Sequence, residues 1–137
     1  MSAQAMAAPA GARSAVTNPA PSGGRPIDLV YLSRQTAGDR DLEIELLSLF
    51  ERQAAQAIQR LQTPNISEDP RWRADLAHML KGSARAIGAE GVAAAAQDYE
   101  KLINAAASEA ALARSLTDLA ATISAARKAA QVFLSEA

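Results

Sequence analysis

Apolar residues recur every three or four positions along most of this 137-residue chain, and no segment shows the period of two typical of a half-buried strand. A three-four spacing places side chains on one face of an α-helix. The chain is therefore predicted to be all-α, with a short first helix and four long ones. In the second helix the repeating positions are Leu42, Leu46, Leu49, Phe50, Ala54, Ala57, Ile58 and Leu61.

The breaks between the periodic segments give the predicted helix boundaries. The first helix covers residues 27–36, the second ends near Gln62, the third runs from Pro70 to just before Gly88, the fourth follows at once, and the fifth follows Ser108. Since these breaks are short, we expect the four long helices to form an antiparallel up-down-up-down four-helix bundle, with the first helix closing one end.

Residues that favour helix ends mark several of these boundaries. Asp39, Asp69 and Ser108 are suitable N-caps, because a short polar side chain there accepts a hydrogen bond from a free backbone N–H. Gly38 and Gly88 are expected to end the first and third helices, since glycine readily adopts a left-handed backbone conformation.

The segment before the first helix has a different composition. Residues 1–26 are dominated by Ala, Gly, Pro and Ser, and they carry too little large apolar surface to offset the entropy lost on ordering. We expect a disordered arm or linker over residues 1–26 and one helical-bundle domain over residues 27–137.

Charge and composition exclude several classes of function. The chain has 14 Lys and Arg against 15 Asp and Glu, a net charge of −1, which argues against a nucleic-acid partner. It has no cysteine and only one histidine, which excludes cysteine-ligated metal sites and a multi-histidine site within one chain. No stretch is apolar enough to span a bilayer and no signal peptide is evident, so we expect a cytoplasmic protein without a membrane partner.

The single histidine, His78, lies on the third helix. The apolar face of that helix is predicted to consist of Trp72, Leu76, Met79, Leu80, Ser83 and Ile87. On a helical wheel His78 lies roughly 160–200° from the narrow central stripe of this face, so it is expected to face solvent. Ala74 and Gly82, one turn before and after it, are predicted to share its side of the helix, together with Lys81 and Arg85.

This placement suits a reactive imidazole. Neutral imidazole is abundant near neutral pH and is a good nucleophile. A phosphoryl group on the ring would carry close to two negative charges, which Lys81 and Arg85 could stabilise. Gly82 would let the backbone of a partner approach closely, and its position inside a helix costs roughly 1 kcal/mol relative to alanine, so it calls for a reason.

A purely structural histidine explains less. A core role conflicts with the helical wheel, and an ordinary surface role leaves Gly82 and the basic residues as coincidences. For Arg71, which lies on the same side, an ordinary solvated role is preferred.

The run from His78 to Ala89, His-Met-Leu-Lys-Gly-Ser-Ala-Arg-Ala-Ile-Gly-Ala, resembles the signature of the histidine phosphotransfer (HPt) domain, commonly written H-x-L-K-G-[SG]-[SA]…[LIV]-G-A. The segment from Asp39 to Phe50 looks like the second helix of that family. Tyr99-Glu100 falls where the family often carries a hydrophobic residue followed by Glu or Gln. The resemblance covers about residues 27–133.

The resemblance implies a role for each matching residue. His78 would accept and donate a phosphoryl group, Lys81 would stabilise that group, and Gly82 would give the partner access. Ser83 belongs to the motif and is predicted to pack inward. Glu100 would orient the imidazole by accepting its other N–H, with an ordinary solvated glutamate as the alternative. Arg85 is not fixed by the motif; its role as an auxiliary positive charge is inferred from the helical wheel alone.

The expected role is that of a carrier in a phosphorelay. The chain has no GxxxxGK[ST] loop or other recognisable nucleotide-binding element, so we predict that it is not an enzyme and does not phosphorylate itself from ATP. The resemblance implies receiver domains of response regulators or of a hybrid histidine kinase as partners, with Mg²⁺ on the receiver and no cofactor on this chain. The exposed sides of the second and third helices, including Ala77, Gly82 and Ala84, are expected to form the docking surface of a monomer.

Two other functions remain open from the sequence. The chain could be a degenerate member of the family that binds a partner without phosphotransfer. It could also be a small bundle enzyme that uses His78 as a general base or metal ligand, although no second acid–base group or ligand cluster is visible on the same face.

Overall fold

The computed structural model describes residues 25–63 and 70–136, and within them it contains five helices and no strand. The helices are α1 (Leu29–Gln35), α2 (Arg40–Gln62), α3 (Pro70–Ile87), α4 (Glu90–Asn104) and α5 (Glu109–Ser135). The predicted all-α class is confirmed. The predicted arm falls almost entirely on residues outside the described ranges, as does Asp69, so both stay predictions.

The four long helices form a closed ring of neighbours. Each of α2, α3 and α4 packs against the next helix in the chain, and α5 packs back against α2. Two residues join α3 to α4 and four residues join α4 to α5, so these consecutive helices run antiparallel. The short α1 packs against α3, at the end of the bundle where α3 finishes.

N-caps begin three of the helices, two of them at the predicted residues. The carboxylate of Asp39 accepts the backbone N–H of Leu42 (3.1 Å), and the hydroxyl of Ser108 accepts that of Ala111 (3.1 Å). Asp28 caps α1 in the same way, a cap that the sequence pattern did not single out. Each bond satisfies a backbone donor that the first turn of a helix leaves free.

Gly88 ends α3 in a Schellman motif. The N–H of Ala89 donates to the carbonyl of Ala84 (2.8 Å) and that of Gly88 donates to Arg85 (3.3 Å), the two bonds that define this motif. Gly88 has φ +80°, and a Cβ placed on it would lie 2.9 Å from the carbonyl oxygen of Asp28. The N–H of Asp28 in turn donates to the carbonyl of Gly88 (2.9 Å). Gly88 therefore ends one helix and joins it to the start of α1.

Alanine takes the same left-handed position after two other helices. Ala37 (φ +54°), not Gly38, is the first left-handed residue after α1, and Ala106 (φ +53°) follows α4. The expectation that Gly38 itself ends α1 is thus wrong by one residue. The hydrogen bonds of the turn explain it, because Gly38 donates its N–H back to Ser33 (2.9 Å) and so closes the Schellman motif.

The buried face of α2 is rotated from the predicted one. Its buried positions are Glu43, Leu47, Phe50, Ala54, Ala57 and Leu61. Leu42 and Leu49, predicted to be apolar core positions, are 37% and 42% exposed. Two overlapping apolar stripes run along this helix, and only the packing of α5 and α3 decides which of them is buried.

The buried face of α3 is also rotated, because it is built largely from alanine. The buried positions are Ala74, Ala77, Leu80, Ala84 and Ile87, whereas Met79 is 38% exposed. The facing residues of α4 are also small in part, since Ala93 and Ala96 are buried there. Small residues on both sides let two helices approach closely, so alanines form the contact that larger residues were predicted to make.

An ion pair joins α2 to α5. Arg127 donates to Oε1 of Glu51 from Nε (2.9 Å) and from Nη2 (2.7 Å), and the amide of Gln131 donates to the same oxygen (3.0 Å). The hydrogen bonds from Arg127 hold the pKa of Glu51 below its ordinary value.

Replacing Gly88 by alanine is expected to lower the free energy of unfolding by about 2 kcal/mol, because the new Cβ meets the Asp28 carbonyl and the backbone must keep a positive φ. Gly82→Ala is the matched control. A Cβ at Gly82 meets nothing within 4 Å, so this change is expected to raise stability by up to about 1 kcal/mol. Urea unfolding of both variants checks the contrast, which equal effects of the two substitutions would contradict.

Glu51→Gln is expected to lower stability by about 1 kcal/mol at neutral pH. Because the pKa of Glu51 is lowered in the folded protein, its contribution is present above the pKa of the unfolded chain and is lost as the pH falls through the folded value. The variant and the native protein should thus become equally stable in strong acid. Urea unfolding across pH tests this, with the exposed Glu45→Gln as control; a difference that persists in acid would rule the ion pair out as its source.

Candidate functional site

His78 lies on the exposed side of α3, and 67% of its side chain is accessible. Gly82, one helical turn further on, is also exposed, and a Cβ built on it would point into open space. The position one turn after His78 therefore adds no side chain over the imidazole. The ring is therefore open to solvent.

A carboxylate from the next helix contacts the ring. The two carboxylate oxygens of Glu100, on α4, lie 3.2 and 3.4 Å from Nδ1 of His78. The ammonium of Lys81 donates to the same carboxylate at 3.3 Å. Glu100 thus bridges the histidine and the lysine, and the three residues form one connected site.

The helices place these three side chains by simple geometry. Lys81 follows His78 by three residues and so lies beside it on α3. Glu100 follows Tyr99, which is 1% exposed and points into the core. One residue turns a helix by about 100°, which brings the Glu100 side chain from the core to the edge of α4 next to α3.

The two charged side chains of the site are shielded from solvent, whereas the imidazole ring is exposed. The side chains of Lys81 and Glu100 are only 17% and 19% accessible, whereas the His78 ring stands above them in solvent. Charges that are partly withdrawn from water interact more strongly than fully solvated ones. The ion pair between Lys81 and Glu100 therefore fixes the position of the carboxylate that contacts the ring.

The contact with Glu100 decides which nitrogen is free to react. An ionised carboxylate only accepts hydrogen bonds, so Nδ1 of His78 beside it carries a proton. In the neutral ring the lone pair is then on Nε2. The arrangement leaves an unprotonated Nε2 on an exposed imidazole, which is a nucleophile that another molecule can reach.

Two other predicted residues lie outside this three-residue contact. Arg85 directs its guanidinium to the side-chain oxygen of Gln97 on α4 (3.1 Å). Ser83, predicted to pack inward, is half-buried, and its hydroxyl donates to the side-chain oxygen of Gln53 on α2 (3.1 Å). Arg85 and Ser83 thus connect α3 to its two neighbours on either side of the site.

The exposed apolar residues of α2 and α3 differ from the predicted ones. Ala77 and Ala84, expected to contribute to a docking surface, are fully buried, because α3 packs against the other helices through its alanines. Leu49 and Met79 are exposed instead, at 42% and 38%. The helical wheel missed them because it assigned large apolar residues to the core; the spacing of the alanines was the signal that could have revealed the true buried face.

Comparison with known proteins identifies the family of the chain. The model of the Hpt domain family matches residues 45–129. The chain belongs to the Hpt domain family. The match runs from the second turn of α2 to the last turns of α5 and includes His78, Lys81 and Glu100, so the resemblance seen in the sequence motif is confirmed.

Membership defines the general role of the chain. Hpt domains are phosphocarrier modules of two-component phosphorelays rather than catalytic enzymes, and they interact with receiver domains and kinases. Searches of curated proteins and of solved structures gave no match. Among the described residues of this Hpt domain, no helix is long and apolar enough to cross a membrane.

Proposed function

We propose that this Hpt domain carries a phosphoryl group on Nε2 of His78, receives it from the phosphoaspartate of one receiver domain and passes it to the aspartate of another. The observation that carries this proposal is the contact between Nδ1 of His78 and the Glu100 carboxylate (3.2 Å). It leaves the lone pair on Nε2 of a ring that is two-thirds exposed.

The transfer is a displacement at phosphorus. The Nε2 lone pair forms a bond to the phosphorus of the acyl phosphate, the bond from phosphorus to the aspartyl oxygen breaks, and the aspartate leaves as a carboxylate. The ring then bears a positive charge and keeps its Nδ1 proton. A Mg²⁺ ion on the receiver supplies charge neutralisation for the transferring group. This chain supplies a nucleophile held in position on a rigid helix.

Lys81 is the cation best placed to stabilise the transferring group. It is adjacent to His78 on the helix and its stem is mostly buried. Its ammonium is therefore held close to the ring, beside Glu100. Arg85 would add positive charge from two turns away, and its present partner, Gln97, is neutral and leaves that charge uncompensated. Both residues act as charges and neither forms a bond to phosphorus.

The docking surface is proposed to lie between α2 and α3, beside the ring. Leu49 on α2 and Met79 on α3 supply exposed apolar area, and Gly82 and Ala86 keep the adjacent turn of α3 small. A receiver that seats on these residues would bring its aspartate close to Nε2. An interface of modest area there would suit a partner that must leave after each transfer.

Replacing His78 by glutamine tests the carrier directly. Incubated with a phosphorylated receiver and Mg²⁺, the native protein is expected to take up a phosphoryl group that is labile in acid and stable in alkali, and His78→Gln is expected to take up none. The glutamine should leave the fold unchanged, because the ring is exposed; circular dichroism checks this. Equal labelling of both proteins would contradict the assignment, and binding without labelling of either would instead indicate a non-transferring interaction module.

Lys81→Met is expected to slow phosphoryl transfer about tenfold or more, because it removes a fixed positive charge from beside the reacting group. Methionine keeps the packing of the buried stem, so the fold should persist. The matched control is Lys101→Met, which removes an exposed lysine on α4 and is expected to transfer at the native rate. Rapid-quench measurement with one receiver compares the three proteins; identical rates would remove Lys81 from the site.

A further inference from the structure

A cavity of about 500 Å³ lies at the end of the bundle opposite to α1. It is bounded by the end of α2, the beginning of α3, the second half of α4 and the beginning of α5. The phosphotransfer residues His78, Lys81 and Glu100 do not line it. A cavity of this size can hold a small organic molecule.

The walls of the cavity are largely apolar. Leu61, Ile103, Leu112 and Leu116 line it; the first two are buried and the other two are half-buried. Removing apolar surface from water on contact with such walls favours binding. A ligand that fits this cavity would therefore have a hydrocarbon chain or ring as its main part.

A buried hydroxyl group also lines the cavity. Tyr99 is 1% exposed, and its hydroxyl oxygen accepts a hydrogen bond from Nη1 of Arg73 (3.2 Å). Among the described residues, no acceptor lies within hydrogen-bonding distance of the Tyr99 O–H. The hydroxyl of a buried tyrosine usually has a hydrogen-bond partner for its proton. An acceptor atom of a molecule bound in the cavity would supply that partner.

The guanidinium of Arg73 lies beside this hydroxyl. Nη1 also donates to the carbonyl of Leu61 (3.1 Å), one of the carbonyls that the end of α2 leaves free, and the group lies 5.0 Å from the centre of the Trp72 ring. Within the described ranges Arg73 forms no ion pair. A guanidinium has five N–H donors, so these contacts leave donors for an anion.

Capping α2 explains only part of this arrangement. It accounts for the bond from Arg73 to Leu61, but it gives the positive charge no counter-ion and the Tyr99 proton no acceptor. A carboxylate would satisfy both groups at once, since it is an anion with two acceptor oxygens.

A negative side chain limits the charge of the ligand. Glu109, the first residue of α5, also lines the cavity and is exposed to solvent, so it lies on the outer side. Its carboxylate would repel a second anionic group on the ligand. A ligand with one negative charge, placed at Arg73, suits the cavity better than a dianion such as a phosphate ester.

We propose that this cavity binds a small monocarboxylate with a hydrocarbon body, such as a medium-chain fatty acid. One carboxylate oxygen accepts from the guanidinium of Arg73 and the other from the O–H of Tyr99, while the hydrocarbon contacts the leucine and isoleucine side chains of the walls. Such a ligand would connect α3 to α4 at the end of the bundle. The proposal does not depend on phosphotransfer through His78.

Octanoate is the probe that tests the site, and octanamide, which has the same length but no charge, is the matched compound. Each is added to the full nitrogen-15-labelled chain, and NMR follows the backbone amide signals of Leu61, Ile103 and Leu116. Octanoate is expected to shift these signals saturably with a Kd of about 1 mM, an ordinary affinity for a ligand of this size. Octanamide should bind at least about tenfold more weakly.

Tyr99→Phe and Arg73→Met test the two polar contacts. Phenylalanine keeps the ring in the core and methionine keeps much of the arginine stem, so both variants are expected to fold, which circular dichroism checks. Each should bind octanoate at least about tenfold more weakly than the native protein, because one hydrogen bond to the carboxylate is lost. The control is Arg34→Met, which removes an exposed arginine on α1 and should leave the affinity unchanged.

The outcomes separate the proposal from its alternatives. Saturable octanoate binding that both Tyr99→Phe and Arg73→Met weaken would support it. Equal binding of octanoate and octanamide, native affinity in either variant, or shifts that never saturate would each overturn it. If Arg73→Met does not fold, Tyr99→Phe alone decides. His78→Gln should bind octanoate like the native protein, so a failure of the proposed phosphotransfer leaves this test intact.

Discussion

The close packing of α3 against α4 is the contact on which the site depends. Buried alanines on both helices, Ala77 and Ala84 on one and Ala93 and Ala96 on the other, form much of the facing surfaces. Larger side chains there would separate the helix axes. Glu100 could then no longer reach Nδ1 of His78. His78 and the carboxylate that accepts its Nδ1–H are on different helices, so the packing of the core determines the geometry of the site.

The site combines two requirements that usually oppose each other. A nucleophile must be exposed to meet a partner, while electrostatic control requires low accessibility. Here the requirements are divided among residues: the His78 ring is exposed, and Lys81 and Glu100 beneath it are largely shielded. The exposed ring can be reached from solvent, while Lys81 and Glu100 stay beside it at low accessibility.

Much of the architecture could be predicted from local signals in the sequence. The N-caps Asp39 and Ser108, the terminal Gly88 and the exposure of His78 depend on residues within one or two helical turns. The rotation of the buried faces could not be predicted in this way. An alanine contributes little to a hydrophobic pattern, yet Ala77 and Ala84 are fully buried, because burial here depends on how closely a neighbouring helix approaches.

The contact between His78 and Glu100 could be predicted only in part from the sequence. The motif suggested that Glu100 could accept a ring N–H, but the side chain lies at the edge of an apolar stripe and its pattern alone fits a solvated residue equally well. The distance depends on the relative register of α3 and α4, which the two-residue connection and the Gly88 turn determine. The register between two helices depends on tertiary packing, and it cannot be deduced from the hydrophobic periodicity of either helix.

The exposure of the His78 ring affects how long a phosphoryl group could remain on it. Since two-thirds of the His78 side chain is accessible and no side chain stands at Gly82, bulk water could reach the nitrogen–phosphorus bond that phosphorylation of His78 would form. The fold offers that bond no steric shelter, so its survival depends on how slowly water reacts compared with a seated aspartate. Hydrolysis would thus limit the lifetime of phosphorylated His78. Only a partner that binds within that lifetime would receive the phosphoryl group.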